Sequence, residues 1–144
     1  MIYRIALAAV ALVLTLGLLW SNGASAYHSY LLTVAQLKTG LDKAPNPAGK
    51  GFVLVDVRSP KEHAAGVIPG TDLNIDFREI GARHREIGAK PEDHIVVYCQ
   101  SGHRSNIAAE TLADLGYQHV YNVRGSMNAW VEAGYSVVPA KGKG

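Results

Sequence analysis

The chain has 144 residues, of which 48% are hydrophobic, and its 14 lysines and arginines nearly balance its 12 aspartates and glutamates. Such a balance gives no basic field for a polyanion, so nucleic-acid binding is not expected. The length is enough for one domain with a single core, but it is short for two.

The first 26 residues have the pattern of a secretory signal. Arg4 precedes an apolar run over 5–20, and Ala24-Ser25-Ala26 offers a small-residue cleavage site. The run covers 16 positions, fewer than the ~20 apolar residues of a spanning helix. Cleavage after Ala26 is therefore predicted, with an uncleaved membrane anchor as the alternative. In both cases residues 27–144 form one exported domain, periplasmic or held at a membrane surface.

Helix and strand patterns alternate along this domain. Phe52-Val-Leu-Val55 is a continuous apolar run typical of a buried parallel strand. Ser59, Pro60 and Glu62 have the spacing of a capping box with proline at the first helical position. The predicted elements, in chain order, are a helix over 33–42, a loop over 43–51, a strand over 52–55, a short helix from 59, a strand over 73–75, a helix over 76–87, a strand over 95–98, a helix ending before Gly116, a strand over 119–123 and a helix over 126–133.

This alternation predicts an α/β fold with an open, mostly parallel sheet and helices on both faces. The fourth predicted helix, after the strand over 95–98, places Ile107, Ala108, Thr111, Leu112 and Leu115 on one helical face. In such sheets, ligands bind beyond the carboxyl ends of the strands.

Cys99 is the single cysteine of the chain, and it follows the apolar run His94-Ile-Val-Val-Tyr98 directly. A thiol between a strand and a helix faces backbone N–H groups and the positive end of the helix dipole, which favour the thiolate. An unpaired cysteine in an exported domain is reactive, intermolecular or incidental. Its position favours a nucleophile over an inert, packed cysteine.

The residues after Cys99 form a predicted anion-binding loop. Gly102 permits a tight curl that lets N–H groups converge above the sulfur. Arg104 adds a fixed positive charge and Ser101 and Ser105 add hydroxyls, which suits a small oxyanion approaching a thiolate. The predicted substrate-binding residues are Gln100, Ser101, Gly102, His103, Arg104 and Ser105.

Four ordered blocks resemble the single-domain rhodaneses, sulfurtransferases of the thiosulfate type. The blocks are Asp56-Val-Arg58, Glu62-His63 with Gly66-Val-Ile-Pro-Gly70, Cys99-Gln-Ser-Gly-His-Arg104-Ser105, and Tyr121-Asn-Val-Arg-Gly-Ser126 leading to Trp130. The family usually has histidine or tyrosine at Val67, alanine at Thr71 and a second glycine at Ser126.

The resemblance implies that Cys99 takes the outer sulfur of a donor such as thiosulfate, becomes a persulfide and passes that sulfur to a thiol or cyanide-like acceptor, or to a protein. Arg104 would attract the charge of the donor. No cofactor is implied, and membrane contact is expected only if the leader is retained. Phosphatase-like relatives carry a loop that is longer by one residue, so phosphate-ester hydrolysis is disfavoured.

Two other functions use the same loop: a non-enzymatic persulfide or oxyanion carrier, and a redox sensor with an exposed thiol.

His103 either tunes the thiolate or faces solvent. Asp56, Arg58 and Glu62 fit an ion pair and a helix cap better than an acid/base cluster, and His63 fits a surface or core position. The histidines lack metal-ligand spacing, so no metal is expected. Trp130, Tyr121 and Tyr135 fit packing positions.

Overall fold

The computed structural model describes residues 30–44 and 49–142, so the predicted leader lies outside the described residues. The strands are β1 (Tyr30–Leu32), β2 (Val53–Asp56), β3 (Leu73–Asn74), β4 (His94–Tyr98) and β5 (His119–Val123). The helices are α1 (Val34–Lys43), α2 (Pro60–Ala65), α3 (Ile80–Arg83), α4 (His103–Asp114) and α5 (Ser126–Glu132), with a 3₁₀ turn at His84–Ile87. Within these ranges no helix is long and apolar enough to cross a membrane.

The five strands form one sheet in the order β1-β5-β4-β2-β3, and every pairing in it is parallel. This confirms the predicted α/β class. After β2 the chain moves outward to β3, whereas after β4 it moves the other way to β5. The crevice between β2 and β4 is thus a topological switch point, the place where open parallel sheets bind ligands.

Helices cover both faces of the sheet, as predicted. On one face Ile80 of α3 and Leu112 of α4 pack with strand residues such as Val97. On the other face Leu37 of α1 and Trp130 of α5 pack with strand residues such as Leu54. Because both faces are covered, β4 is apolar on each side, and Ile95–Tyr98 is buried throughout.

The prediction of one helix over 76–87 is wrong. The Asp76 carboxylate accepts the N–H of Arg78 at 2.9 Å, which closes a side-chain turn that delays the helix to Ile80. The helix lasts four residues before it tightens into the 3₁₀ turn, which ends at Gly88 in a left-handed conformation. The strand β1 was not predicted, because its three residues include two exposed ones, Tyr30 and Leu31.

The apolar face of α4 is only partly buried. Ile107 and Leu115 are 41% and 46% exposed, although they share the expected spacing with buried Leu112. The helix instead buries the stripe Ser105, Ala108, Ala109 and Leu112. The helix therefore turns the polar Ser105 toward the thiol at the carboxyl end of β4. Apolar periodicity alone does not predict this orientation.

Candidate active site

Cys99 lies at the carboxyl end of β4, the central strand, beside the switch-point crevice. The loop that follows is held by the start of α5. The N–H of Met127 donates to the Cys99 carbonyl at 3.1 Å, and the N–H of Asn128 donates to the Gln100 carbonyl at 2.9 Å. These bonds anchor the first half of the loop to a rigid element, so the sulfur has a defined position.

Gly102 makes the predicted curl. Its φ of +97° is a left-handed conformation that side chains disfavour. A Cβ at this position would lie 3.3 Å from the Gly125 nitrogen and 3.5 Å from the Val123 carbonyl oxygen. Both the dihedral angle and the close approach of the β5–α5 connection therefore require glycine here.

The Cys99 sulfur faces hydrogen-bond donors. The N–H of Gly102 lies 3.0 Å from Sγ and the Ser105 hydroxyl lies 3.3 Å from it. Burial of the thiol opposes its ionisation, but hydrogen bonds from the Ser105 hydroxyl and from backbone N–H groups of Ser105, Gly102 and Ser101 outweigh burial and lower the pKa of Cys99. The arrangement stabilises a thiolate, and the same donors suit an anionic persulfide.

A buried polar network supports the Ser105 hydroxyl. Its oxygen lies 2.6 Å from Asn122 Oδ1, while the Asn122 amide donates to the Gly102 carbonyl at 3.1 Å. The second bond orients Asn122 so that its oxygen faces Ser105. A hydroxyl has one proton, so Ser105 donates a hydrogen bond to Cys99 Sγ only when it gives up its hydrogen bond to Asn122 Oδ1.

Ser126 completes this network from the start of α5. Its hydroxyl accepts the N–H of Cys99 at 3.1 Å and donates to the Val123 carbonyl at 2.9 Å. Among the described residues it is the one non-glycine with a positive φ, +48°. A glycine would fit this backbone conformation more easily, and the conformation costs Ser126 about 1–2 kcal/mol. The serine supplies a hydroxyl that a glycine lacks.

Sequence reasoning did not assign Asn122 and Ser126 to the site. Both lie in the fourth family block, but their role depends on contacts with residues 17 to 27 positions away. One signal was available, because Asn122 is a polar residue at a position of β5 where strand alternation predicts burial.

Removal of the Ser105 hydroxyl is expected to raise the pKa of Cys99. Ser105→Ala deletes a donor to Sγ but keeps the backbone N–H and the small volume, so less thiolate forms at neutral pH. The ultraviolet absorbance of the thiolate, followed against pH, measures the change. Ser101→Ala is the matched control, since Ser101 acts on the sulfur through its backbone N–H. Equal titration curves for the wild type and Ser105→Ala would contradict the role of the hydroxyl.

Arg104 lies in the loop as predicted, but its charge is already matched. Its two Nη atoms lie 2.7 and 2.8 Å from the two carboxylate oxygens of Glu62. Glu62 also accepts from Ser59, closing the predicted capping box at the start of α2. The guanidinium therefore joins the thiol loop to α2 as an ion pair, and the attraction of the donor by Arg104 stays a prediction.

The Glu62–Arg104 pair predicts a loss of stability in acid. The Arg104 guanidinium lowers the pKa of Glu62 from 4.5 to about 2, so the pair stabilises the folded state fully above 4.5 and loses this contribution as the pH falls toward 2. Glu62→Gln is expected to lower the free energy of unfolding at neutral pH, by an amount that shrinks across this window. Denaturant titrations of both proteins at several pH values measure the difference, and a pH-independent difference would contradict it.

A second, deeper ion pair lies below the loop at the end of β2. Asp56 is fully buried, and its carboxylate accepts from Arg58 Nη2 at 2.8 Å and lies 3.0 Å from His63 Nδ1. Arg58 also donates to the Gly66 carbonyl at 2.7 Å, and its Nη1 lies 3.5 Å from Gln100 Oε1. These contacts fix the floor of the site and agree with the structural interpretation of Asp56 and Arg58.

Among the other predicted loop residues, Gln100 is half-buried, and its Nε2 donates to Asn128 Oδ1 at 2.6 Å. Ser101 and His103 are exposed. The exposure of His103 agrees with the interpretation in which it faces solvent. In residues 30–44 and 49–142, no three histidine, cysteine or acidic side chains come together as metal ligands.

The burial of Cys99 bears on the redox interpretation. That hypothesis used an exposed thiol, whereas Cys99 has 0% of its surface exposed. A disulfide between two copies requires their sulfurs to approach to ~2.05 Å, which the covering loop prevents in this conformation. A small tetrahedral anion such as thiosulfate needs a far narrower opening than a second folded protein does.

The comparisons with known proteins agree with this geometry. The family model of the rhodanese-like domain matches residues 33–133, so the chain belongs to the rhodanese-like family. It is 41% identical over 91 residues to a sulfurtransferase of Allochromatium vinosum, covering 62% of this chain and 81% of that protein. It is 38% identical over 91 residues to the human thiosulfate:glutathione sulfurtransferase, covering 55% of this chain and 78% of that protein.

Solved structures give the same fold. A rhodanese-related protein from Thermoplasma volcanium superposes with a TM-score of 0.59 at 30% identity, over 75% of this chain and 96% of that chain. Sulfur transfer in general is the activity that these relatives support for the chain.

Proposed function

We propose that the protein moves a sulfane sulfur from a small anionic donor such as thiosulfate to a thiophilic acceptor, through a persulfide on Cys99. The observation that carries the proposal is the position of Sγ, which faces the Gly102 N–H at 3.0 Å and the Ser105 hydroxyl at 3.3 Å beside the switch point of the sheet. The names of relatives such as the human thiosulfate:glutathione sulfurtransferase support the same donor class.

The proposed reaction has two displacements. The Cys99 thiolate attacks the outer sulfur of thiosulfate, the S–S bond of the donor breaks, and sulfite leaves with the bonding electron pair. The persulfide anion keeps the negative charge, which the N–H groups of the loop stabilise. A nucleophilic acceptor, such as cyanide or a thiolate, then attacks the outer sulfur and releases the Cys99 thiolate.

Intact-mass spectrometry tests this proposal. The reduced full chain is weighed, incubated with thiosulfate, weighed again, and then treated with cyanide. A gain of one sulfur atom that cyanide removes is expected. A folded, reduced protein that gains no sulfur would overturn the proposal. A gain of sulfur without turnover to cyanide or thiol acceptors would favour the persulfide carrier instead.

We also propose that the domain works outside the cytoplasm. The support is the sequence pattern of residues 1–26, with Arg4, the apolar run over 5–20 and the small-residue site before Tyr27. Cell fractionation followed by mass measurement of the recovered protein tests both parts. A periplasmic protein that starts at Tyr27 is expected, a full-length protein in the membrane fraction would favour the anchor, and a full-length protein in the cytoplasm would overturn the proposal.

A further inference from the structure

Three arginines around the thiol loop offer little net charge to an anion, because each is paired with a carboxylate. The pairs are Arg58–Asp56 at 2.8 Å, Arg78–Asp76 at 2.7 Å and Arg104–Glu62 at 2.7 Å. Each cation lies against an anion of equal charge, so the field of each pair falls off rapidly with distance. An incoming dianion therefore needs another source of attraction.

Three basic side chains on the surrounding elements have no carboxylate partner among the described residues: Lys61, His103 and Arg124. All three are exposed. Lys61 lies on α2, and Glu62 follows it in the chain. Arg124 lies in the β5–α5 connection, and an arginine keeps its charge at every physiological pH.

The β5–α5 connection touches the thiol loop on both sides of Arg124. Val123 and Gly125 flank it, and their backbone atoms lie within 3.5 Å of the point where Gly102 would carry a Cβ. In the first turn of α5, which follows the connection, the N–H of Met127 donates to the Cys99 carbonyl. Arg124 thus lies in the segment that forms one wall of the loop.

Arg124 is the first residue after β5. Its N–H donates to the Leu32 carbonyl at 2.8 Å, which fixes its backbone at the carboxyl end of the sheet. Asn122, two positions earlier, binds Ser105 and the Gly102 carbonyl. The end of β5 that carries Arg124 therefore lies beside the thiol loop.

We propose that Arg124 is the specificity-determining cation that draws the anionic sulfur donor to the loop, the role that sequence reasoning gave to Arg104. This inference rests on the proposed function. Arg124 acts at a distance on the charge of the donor and leaves the thiolate to the hydrogen bonds of the loop. The loss of rate on substitution of Arg124 must therefore depend on the charge of the donor and on the ionic strength. A loss caused by structural damage would depend on neither.

Charge reversal tests the inference. Arg124→Glu is compared with Lys90→Glu, which makes the same change of charge at an exposed residue. Lys90 precedes β4 and so lies at the amino ends of the strands, opposite the thiol. Lys61→Glu makes the same change at the carboxyl ends of the strands, where the thiol lies. All three full-length variants are first checked for folding by circular dichroism. Persulfide formation is then timed by rapid quenching and intact-mass measurement, with thiosulfate as the dianionic donor and methanethiosulfonate as a small monoanionic donor.

Arg124→Glu is expected to lower kcat/KM for thiosulfate by roughly 10-fold at low salt, about 3-fold for the monoanion, and under about 2-fold for both near 1 M salt. The pH profile of the reaction should not move, because the thiolate keeps its donors. Lys90→Glu should match the wild type.

Equal rates for Arg124→Glu and Lys90→Glu, or a loss that is independent of salt and donor charge, would overturn the inference while leaving the proposed function standing. An equal loss in Lys61→Glu would also overturn it, because the whole edge and not Arg124 would then set the attraction. If the wild-type chain forms no persulfide with either donor, the proposed function fails and the inference fails with it.

Discussion

Cys99→Ala is expected to abolish sulfur transfer, and Cys99→Ser to do the same, while both variants stay folded. Alanine has no nucleophile, and the serine hydroxyl ionises so much less readily than a thiol that it supplies no anion to attack the donor. Because the chain has one cysteine, no second thiol can take over. Deletion of one buried sulfur is expected to lower the free energy of unfolding by about 1 kcal/mol.

The measurement combines turnover of thiosulfate and cyanide with intact mass after incubation. Neither variant should gain sulfur, and their circular dichroism spectra should match that of the wild type. A variant without Cys99 that still gained a cyanide-labile sulfur would contradict the assignment of the nucleophile. Retained turnover in Cys99→Ser alone would point to general binding of the two reactants in place of a covalent intermediate.

Arg58→Met is expected to give the largest loss of stability. Asp56 is fully buried and the Arg58 side chain is 5% exposed, so the substitution leaves a carboxylate without its main partner in the interior. Breaking a buried pair in this way costs about 3–5 kcal/mol, a large part of the roughly 5–15 kcal/mol that stabilises a domain. Denaturant unfolding of the two proteins measures the difference.

Two further variants separate the buried ion pair from general damage. Asp56→Asn combined with Arg58→Met removes both charges, and it should recover part of the stability that Arg58→Met alone loses. Arg78→Met breaks a pair whose arginine is 71% exposed, and it should cost at most about 1 kcal/mol. Equal losses in the single and double variants, or an equal loss in Arg78→Met, would contradict the explanation.

The central strand and the thiol loop could be predicted because their signals are local. A continuous apolar run over 95–98 indicates a strand in a sheet that is covered on both faces. A glycine three residues after a cysteine at the end of a strand predicts a tight turn of the loop. Ser59 and Glu62 identified a helix start for the same reason, since a capping box lies within four residues.

The partners of the charged groups could not be predicted in this way. Arg104 and Glu62 are 42 positions apart, and no local pattern indicates that they meet. Without that contact, a loop arginine looks like an open cation. The helix over 76–87 failed for a related reason, because the Asp76 side chain competes for the backbone N–H of Arg78 and the apolar spacing of the segment does not register such competition.

The parallel pairing of β1 places the beginning of the described domain far from the thiol. The chain enters the sheet at Tyr30, at the end of the sheet where β4 and β5 begin. Tyr30 is in register with Tyr121, and His94 is in register with His119. Cys99 lies at the carboxyl ends of the strands, across a five-residue strand of roughly 17 Å. Tyr30 and Cys99 therefore lie at opposite ends of the described domain. Attachment of the domain to a solid support on the side of Tyr30 should leave sulfur donors free access to Cys99.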